Sequence, residues 1–94
     1  MVAVTMYVRQ GCLQSQRARA LLHRKGAHVE EVDITQDPAR REEMIARSGG
    51  RTNTPQIFID GQHVGGTDDL MDLDECGALD WRLEGGLAGE AHPS

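Results

Sequence analysis

The 94 residues predict an α/β protein, a mixed four-stranded sheet in the order β-α-β-α-β-β-α with helices on both faces. Three observations predict it. The chain opens with a strand, a helix and a second strand, and such a crossover implies a parallel pair. An Asp60-Gly61 turn joins two later apolar runs, which is a hairpin signal and implies an antiparallel pair. Helical patterns lie between and after these units, so both faces of the sheet have something to cover them.

The elements follow in order. Ala3 to Val8 is a nearly unbroken apolar and β-branched run, as expected of a strand buried on both faces. Arg9-Gln10-Gly11 breaks it. From Leu13 to Lys25 the period is helical, with Ala18, Leu21 and Leu22 on one face, and Gly26 is a natural stop. Val29 to Ile34 forms the second strand, Val32 and Ile34 turning to one side. Asp37 suits the N-cap of a second helix and Pro38 its first position, where a missing N–H costs nothing. Met44 and Ile45 face inward, and Gly49-Gly50 ends the helix. After the polar loop Arg51 to Pro55, Gln56 to Ile59 and Gln62 to Val64 make the hairpin. Thr67 is expected to cap a third helix whose first turn holds Asp68 and Asp69. Gly77 interrupts, and a short helix follows over Leu79 to Leu83. One domain over residues 1–84 is expected, with 85–94 as a frayed Gly- and Ala-rich tail.

Composition narrows the function classes. Hydrophobic residues make up 38% and charged residues 27%, which suits a soluble globular chain. The net charge of −5 speaks against nucleic acid and against anionic lipid as partners. No apolar run approaches the roughly 18 residues of a membrane span. The opening segment lacks the pattern of a signal peptide, so a reducing, cytoplasmic setting is expected. Two cysteines, Cys12 and Cys76, stand far apart, and the four histidines form no close metal-binding pairs.

Cys12 carries the chemistry. It lies between a buried strand and a helix, where free N–H groups and the positive helix end favour thiolate over thiol. Arg9, three residues earlier, adds a nearby cation. Such surroundings bring a thiol from ~8.5 to roughly 3.5–7.5. Intrinsic nucleophilicity falls with a slope of ~0.4–0.5, which cancels most of the gain in thiolate. What remains is a good leaving group, suited to turnover through a mixed disulfide. The plainer alternative is an inert cysteine at a strand end.

The segments Tyr7-Val8-Arg9-Gln10-Gly11-Cys12, Ala18-Arg19-Ala20-Leu21-Leu22, Arg41-Glu42-Glu43-Met44-Ile45, Thr54-Pro55-Gln56-Ile57-Phe58-Ile59-Asp60 and Gly65-Gly66-Thr67-Asp68-Asp69-Leu70 resemble, in that order, those of glutaredoxins, most of all the small bacterial kind. The likeness covers about residues 2 to 84. It implies a thioredoxin-like fold, a cis Pro55 facing Cys12, and a glutathione-disulfide oxidoreductase acting as a monomer on glutathionylated proteins or small mixed disulfides. It also implies a glutathione site. Arg9 would hold the glycyl carboxylate, and the backbone of Thr54, beside Pro55, would pair with the cysteinyl unit. Amides around Gly66, Thr67 and Asp68 would bind the γ-glutamyl carboxylate, and Asp68 or Asp69 would meet its ammonium. Taken alone, Asp68 and Asp69 equally suit helix-dipole compensation, and Arg9 a solvated loop.

The active-site motif departs from the family. Cys-Pro-Tyr-Cys is typical, and here Cys12-Leu13-Gln14-Ser15 stands instead. Ser15 cannot close an intramolecular disulfide, so a monothiol route through Cys12 and free glutathione is expected. Cys76 lies outside every motif and is read as a spectator thiol. Two further readings stand beside this one: a degenerate glutathione-binding protein without activity, and a carrier of a [2Fe–2S] cluster held by Cys12 and glutathione in a dimer. The dedicated carriers' Cys-Gly-Phe-Ser motif is absent. Anaerobic purification with glutathione separates exchange from carriage: a colourless monomer is expected, and a brown dimer would establish the cluster.

Overall fold

Strand β1 (Val4–Val8) holds the middle of the sheet because its side chains are apolar on both faces: Val4, Met6, Tyr7 and Val8 are all buried. The computed structural model describes residues 1–85. Within them follow α1 (Leu13–Arg24), β2 (Val29–Asp33), α2 (Pro38–Arg47), β3 (Gln56–Ile59), β4 (Gln62–Gly65), α3 (Thr67–Glu75) and α4 (Ala78–Leu83). The sheet order is β2-β1-β3-β4. The β1–β2 pair is parallel and the β1–β3 and β3–β4 pairs are antiparallel, the mixed sheet expected from the sequence.

The period of two along the strands splits the core into two layers. Val4, Met6 and Val8, with Ile57 and Ile59, pack against Ala18, Leu21 and Leu22 of α1, Leu70 of α3, and Leu79 and Leu83 of α4. Tyr7 and Phe58 face the other way, onto Ile34 and onto Met44 of α2. Burying each such Leu, Ile, Phe or Met contributes roughly 1.5–3 kcal/mol. The α2 layer closes on a polar note. The Tyr7 hydroxyl donates to Glu43 and accepts from Arg47 at 2.7 Å. The Arg47 guanidinium lies 4.3 Å from the centre of the Phe58 ring.

The expected ends move by one or two residues, as frayed termini do. β1 starts at Val4, α1 stops at Arg24, β2 stops at Asp33 and α2 at Arg47, β4 runs on to Gly65, and α4 starts at Ala78. One expectation fails outright. Thr67 does not cap α3; Gly66 does, and Thr67 is the first helical residue. The Thr67 hydroxyl is committed elsewhere, donating to the Gln14 carbonyl at 2.7 Å and tying α3 to α1. The Gly66 N–H is met by the Asp69 carboxylate at 2.9 Å, one half of a capping box whose other half glycine cannot supply. Of the expected tail, Gly85 donates its N–H to the Arg82 carbonyl, and 86–94 lie outside the described residues.

Among the described glycines, Gly65 has the least room for a side chain. Its φ is +125°, and an added Cβ would fall 2.2 Å from Asp69 Oδ2. Gly65→Ala is expected to lower stability by more than ~1 kcal/mol in urea unfolding, because strain and the displaced Asp69 act together. A variant as stable as wild type would show that the β4–α3 junction relaxes freely.

Candidate active site

Cys12 is the N-cap of α1. A thiol there plays the part that Ser or Asp usually plays, accepting a helix N–H that has no partner within the helix. Its sulfur accepts from Ser15 N–H at 3.4 Å. The second wall comes from far along the chain. The Thr54 hydroxyl donates to the sulfur at 3.4 Å, and the thiol donates to the Thr54 carbonyl at 3.6 Å. The Thr54–Pro55 peptide bond is cis, as the resemblance implies.

Burial pushes the Cys12 thiol up, and donors outweigh it. Ser15, the Thr54 hydroxyl and the Ser15 and Gln14 N–H groups bring it below its ordinary value. The Ser15 hydroxyl is buried and makes no regular hydrogen bond beside the thiol, so it is a donor left for the thiolate. Arg9 is exposed and is not among these causes.

The predicted site residues divide into two groups. Thr54, Pro55, Gly66, Thr67, Asp68 and Asp69 line one groove of about 400 Å³, within the range of small-ligand sites. Arg9 is not in it. It lines a separate cleft of about 250 Å³ with Cys12, Ser15, Arg19, Glu31 and Asp33. In that cleft the Arg19 and Glu31 side chains pair at 2.5 and 2.7 Å.

Sequence reasoning missed three lining residues of the groove: Gln14, Asn53 and Arg51. Arg51 is the important one, because it brings a positive charge into the groove, 3.7 Å from Asp69. Its signal was a lone arginine at the head of the loop before Pro55, in a segment read only as polar. Cys76 is the exposed C-cap of α3. Thr67, at the other end of that helix, is tied to Gln14, and nine residues span roughly 13 Å. Both cysteines are free thiols, and no second sulfur attends Cys12 among the described residues.

Comparisons with known proteins bear on the family and the fold. The glutaredoxin family model matches residues 4–64. Glutaredoxin 3 of Escherichia coli K12 is 52% identical over 80 residues, spanning 85% of this chain and 95% of its own. Glutaredoxin 1 of Rickettsia prowazekii is 40% identical over 82 residues, 86% of each chain. The solution structure of a Brucella melitensis glutaredoxin matches with a TM-score of 0.79 at 51% identity, covering 92% of each chain. A buckwheat glutaredoxin solved with glutathione shares the fold, with a TM-score of 0.80 at 24% identity over 87% of this chain and 76% of that one.

The lowered Cys12 pKa has a sign that experiment can read. The folded chain holds this proton more weakly than the unfolded chain does. The thiolate therefore contributes stability above the unfolded-state thiol pKa, near ~8.5, and that contribution is lost as pH falls through the folded-state value. Thr54→Val removes one donor, so the midpoint for alkylation of Cys12 by iodoacetamide should rise. The rate at pH 6 should fall about two- to tenfold, the worth of one hydrogen bond. An unmoved midpoint would mean that the helix terminus alone sets the acidity.

Proposed function

The chain belongs to the glutaredoxin family, and on that premise we propose that it is a glutathione-dependent thiol–disulfide oxidoreductase working through Cys12 alone. Glutaredoxins are thiol–disulfide oxidoreductases in general. The observation that carries the finer reading is the sulfur itself: it is acidified by Ser15 and Thr54, and Ser15 stands where a dithiol enzyme has its second sulfur.

The cycle has two exchanges. In the first, the Cys12 thiolate attacks the glutathione sulfur of a mixed disulfide. A Cys12–glutathione disulfide forms, the substrate's S–S bond breaks, and the substrate leaves as a thiolate that takes a proton from water. In the second, a free glutathione thiolate attacks the glutathione sulfur of that adduct. Oxidised glutathione leaves, and Cys12 returns as thiolate. In net, one free glutathione thiol is consumed, the substrate thiol is released, and the oxidised glutathione that leaves carries one half from the substrate and one from the free thiol; no second protein thiol is consumed. The low Cys12 pKa matters most in the second exchange, where Cys12 is the leaving group.

The groove supports glutathione as the adduct's occupant. Beside the sulfur, Thr54 has backbone able to pair with the cysteinyl unit as an added strand. The start of α3, at Gly66, Thr67 and Asp68, is a partial positive charge for the γ-glutamyl carboxylate. Asp68 and Asp69 suit the ammonium next to it. Arg51, lying in this groove, is better placed than Arg9 to face a carboxylate there. Arg9, in the cleft that Cys12 lines, is left to meet the departing substrate or the incoming second thiol. The absence from Leu13 and Gln14 of the family's proline and tyrosine leaves the sulfur's donors intact, since these come from Ser15, Thr54 and backbone.

Glutathione-dependent reduction of a small glutathionylated disulfide tests the reading. Cys12→Ser should abolish turnover, and Cys76→Ser, at an exposed site away from the groove, should change kcat/KM by less than about twofold. Turnover surviving in Cys12→Ser would contradict it.

A further inference from the structure

Behind the Thr54–Pro55 bond, the side chain of Gln56 is fully buried, 0% exposed. A buried amide is tolerated where its donors and acceptor are matched. Here they are. Gln56 Nε2 donates to the Asn53 carbonyl at 3.0 Å and to Asn53 Oδ1 at 3.3 Å. Gln56 Oε1 faces His63 Nε2 at 2.7 Å. With the amide nitrogen committed to Asn53, its oxygen is what His63 meets, so His63 carries its proton on Nε2. Burial and the Arg51 charge favour the neutral ring, with Asp69 acting the other way. The ring packs on Phe58, centroids 5.0 Å apart. The exchange cycle makes no use of His63.

We propose that His63 is a positioning residue for Cys12: by fixing the Gln56 amide it holds Asn53, and through Asn53 the Thr54 hydroxyl, at the reach of the sulfur. This rests on Cys12 being the reactive thiol. A glutamine amide has nearly the same shape after a half-turn, and only its partners tell oxygen from nitrogen. Asn53 alone presents acceptors to one end. A flip would set Gln56 Oε1 against the Asn53 carbonyl, acceptor against acceptor, so the amide nitrogen stays on Asn53, and His63 Nε2–H is then the donor that satisfies the buried Oε1 in that orientation. Residues 51–55 belong to no helix or strand. At the far end of the loop the Ser48 hydroxyl accepts from Arg51 N–H at 3.1 Å and donates to the Arg51 carbonyl at 3.2 Å, and Arg51 lies 3.7 Å from Asp69. At the near end, apart from the long contacts of Thr54 with the Cys12 sulfur itself, the Gln56 amide is the side chain that holds Asn53. Loss of the His63 contact therefore loosens the end of the loop next to the thiol and leaves the strands paired.

Alkylation of Cys12 against pH tests this, with circular dichroism and thermal unfolding measured alongside. His63→Leu keeps the bulk and removes the donor. It should raise the alkylation midpoint and slow the reaction at pH 6 about two- to fivefold, less than Thr54→Val does. His63→Gln, which offers an N–H again, should restore most of the wild-type profile. Gln56→Met should act in the same direction, and adding His63→Leu to it should change little, as expected of one chain of contacts. A midpoint unmoved by His63→Leu overturns the proposal. So does a His63→Gln profile no better than that of the leucine variant, or additive effects in the double variant. Should His63→Leu not fold, Gln56→Met decides, and an unmoved midpoint there overturns it too. These outcomes are separate from the family reading: a wild-type midpoint that is already low, with Cys12→Ser inactive, leaves the exchange cycle standing whatever His63 does.

Discussion

Two segments, 42 residues apart in sequence, meet at the Cys12 sulfur, and the proposed chemistry depends on that meeting. The sheet makes that meeting. Strands β1 and β3 are antiparallel neighbours with Tyr7 opposite Gln56, so the chain leaving the top of β1 lies beside the chain entering β3. The first delivers Cys12 and the start of α1, and the second delivers Thr54 and Pro55. One supplies helix N–H groups and the other a hydroxyl. Neither segment alone surrounds the thiol, and the strand pairing that joins them lies in the buried core, where Met6, Tyr7, Ile57 and Phe58 are held from both faces.

The same constraint explains what the missing second cysteine changes. In a dithiol motif the helix places a second sulfur one turn beyond the first. Here Ser15 occupies that place, buried, with its N–H already on the sulfur and its hydroxyl available to a thiolate. The position thus still serves Cys12, as a donor and not as a resolving thiol. In the proposed cycle, release of the adduct comes from outside the chain. A groove with Arg51 and the start of α3 on its walls, next to a second cleft that Cys12 and Arg9 line, gives the proposed cycle room for two thiol partners in turn.

Much of the fold was legible because local chemistry and tertiary structure agree. Asp60 and Gly61 both take positive φ, 54° and 78°, as a two-residue hairpin turn demands. Asp37 caps α2 by accepting from Arg40 N–H at 3.1 Å, with Pro38 at the first position. Thr67 was misread because its hydroxyl has a tertiary partner, Gln14, that no local rule reveals. Arg9 and Arg51 show the same limit in the site. The resemblance gave Arg9 the glycyl carboxylate, whereas the groove is assembled from the loop after α2 and the β4–α3 junction, and the cation on its wall is Arg51 of that loop. The buried link from His63 through Gln56 to Asn53 was likewise hidden, since a Gln at a strand start and a His in an exposed-looking strand give no sign of each other until the hairpin pairs them.

The central claim is that Cys12, and no other group, carries glutathione between the two exchanges. Acid quenching during turnover on a glutathionylated substrate, followed by digestion and mass spectrometry, observes that adduct directly. One glutathione per chain is expected, on the peptide containing Cys12, disappearing when excess free glutathione is added before the quench. An adduct found on Cys76 instead, or a Cys12 joined to the substrate's own thiol with no glutathione form at any time, would contradict it.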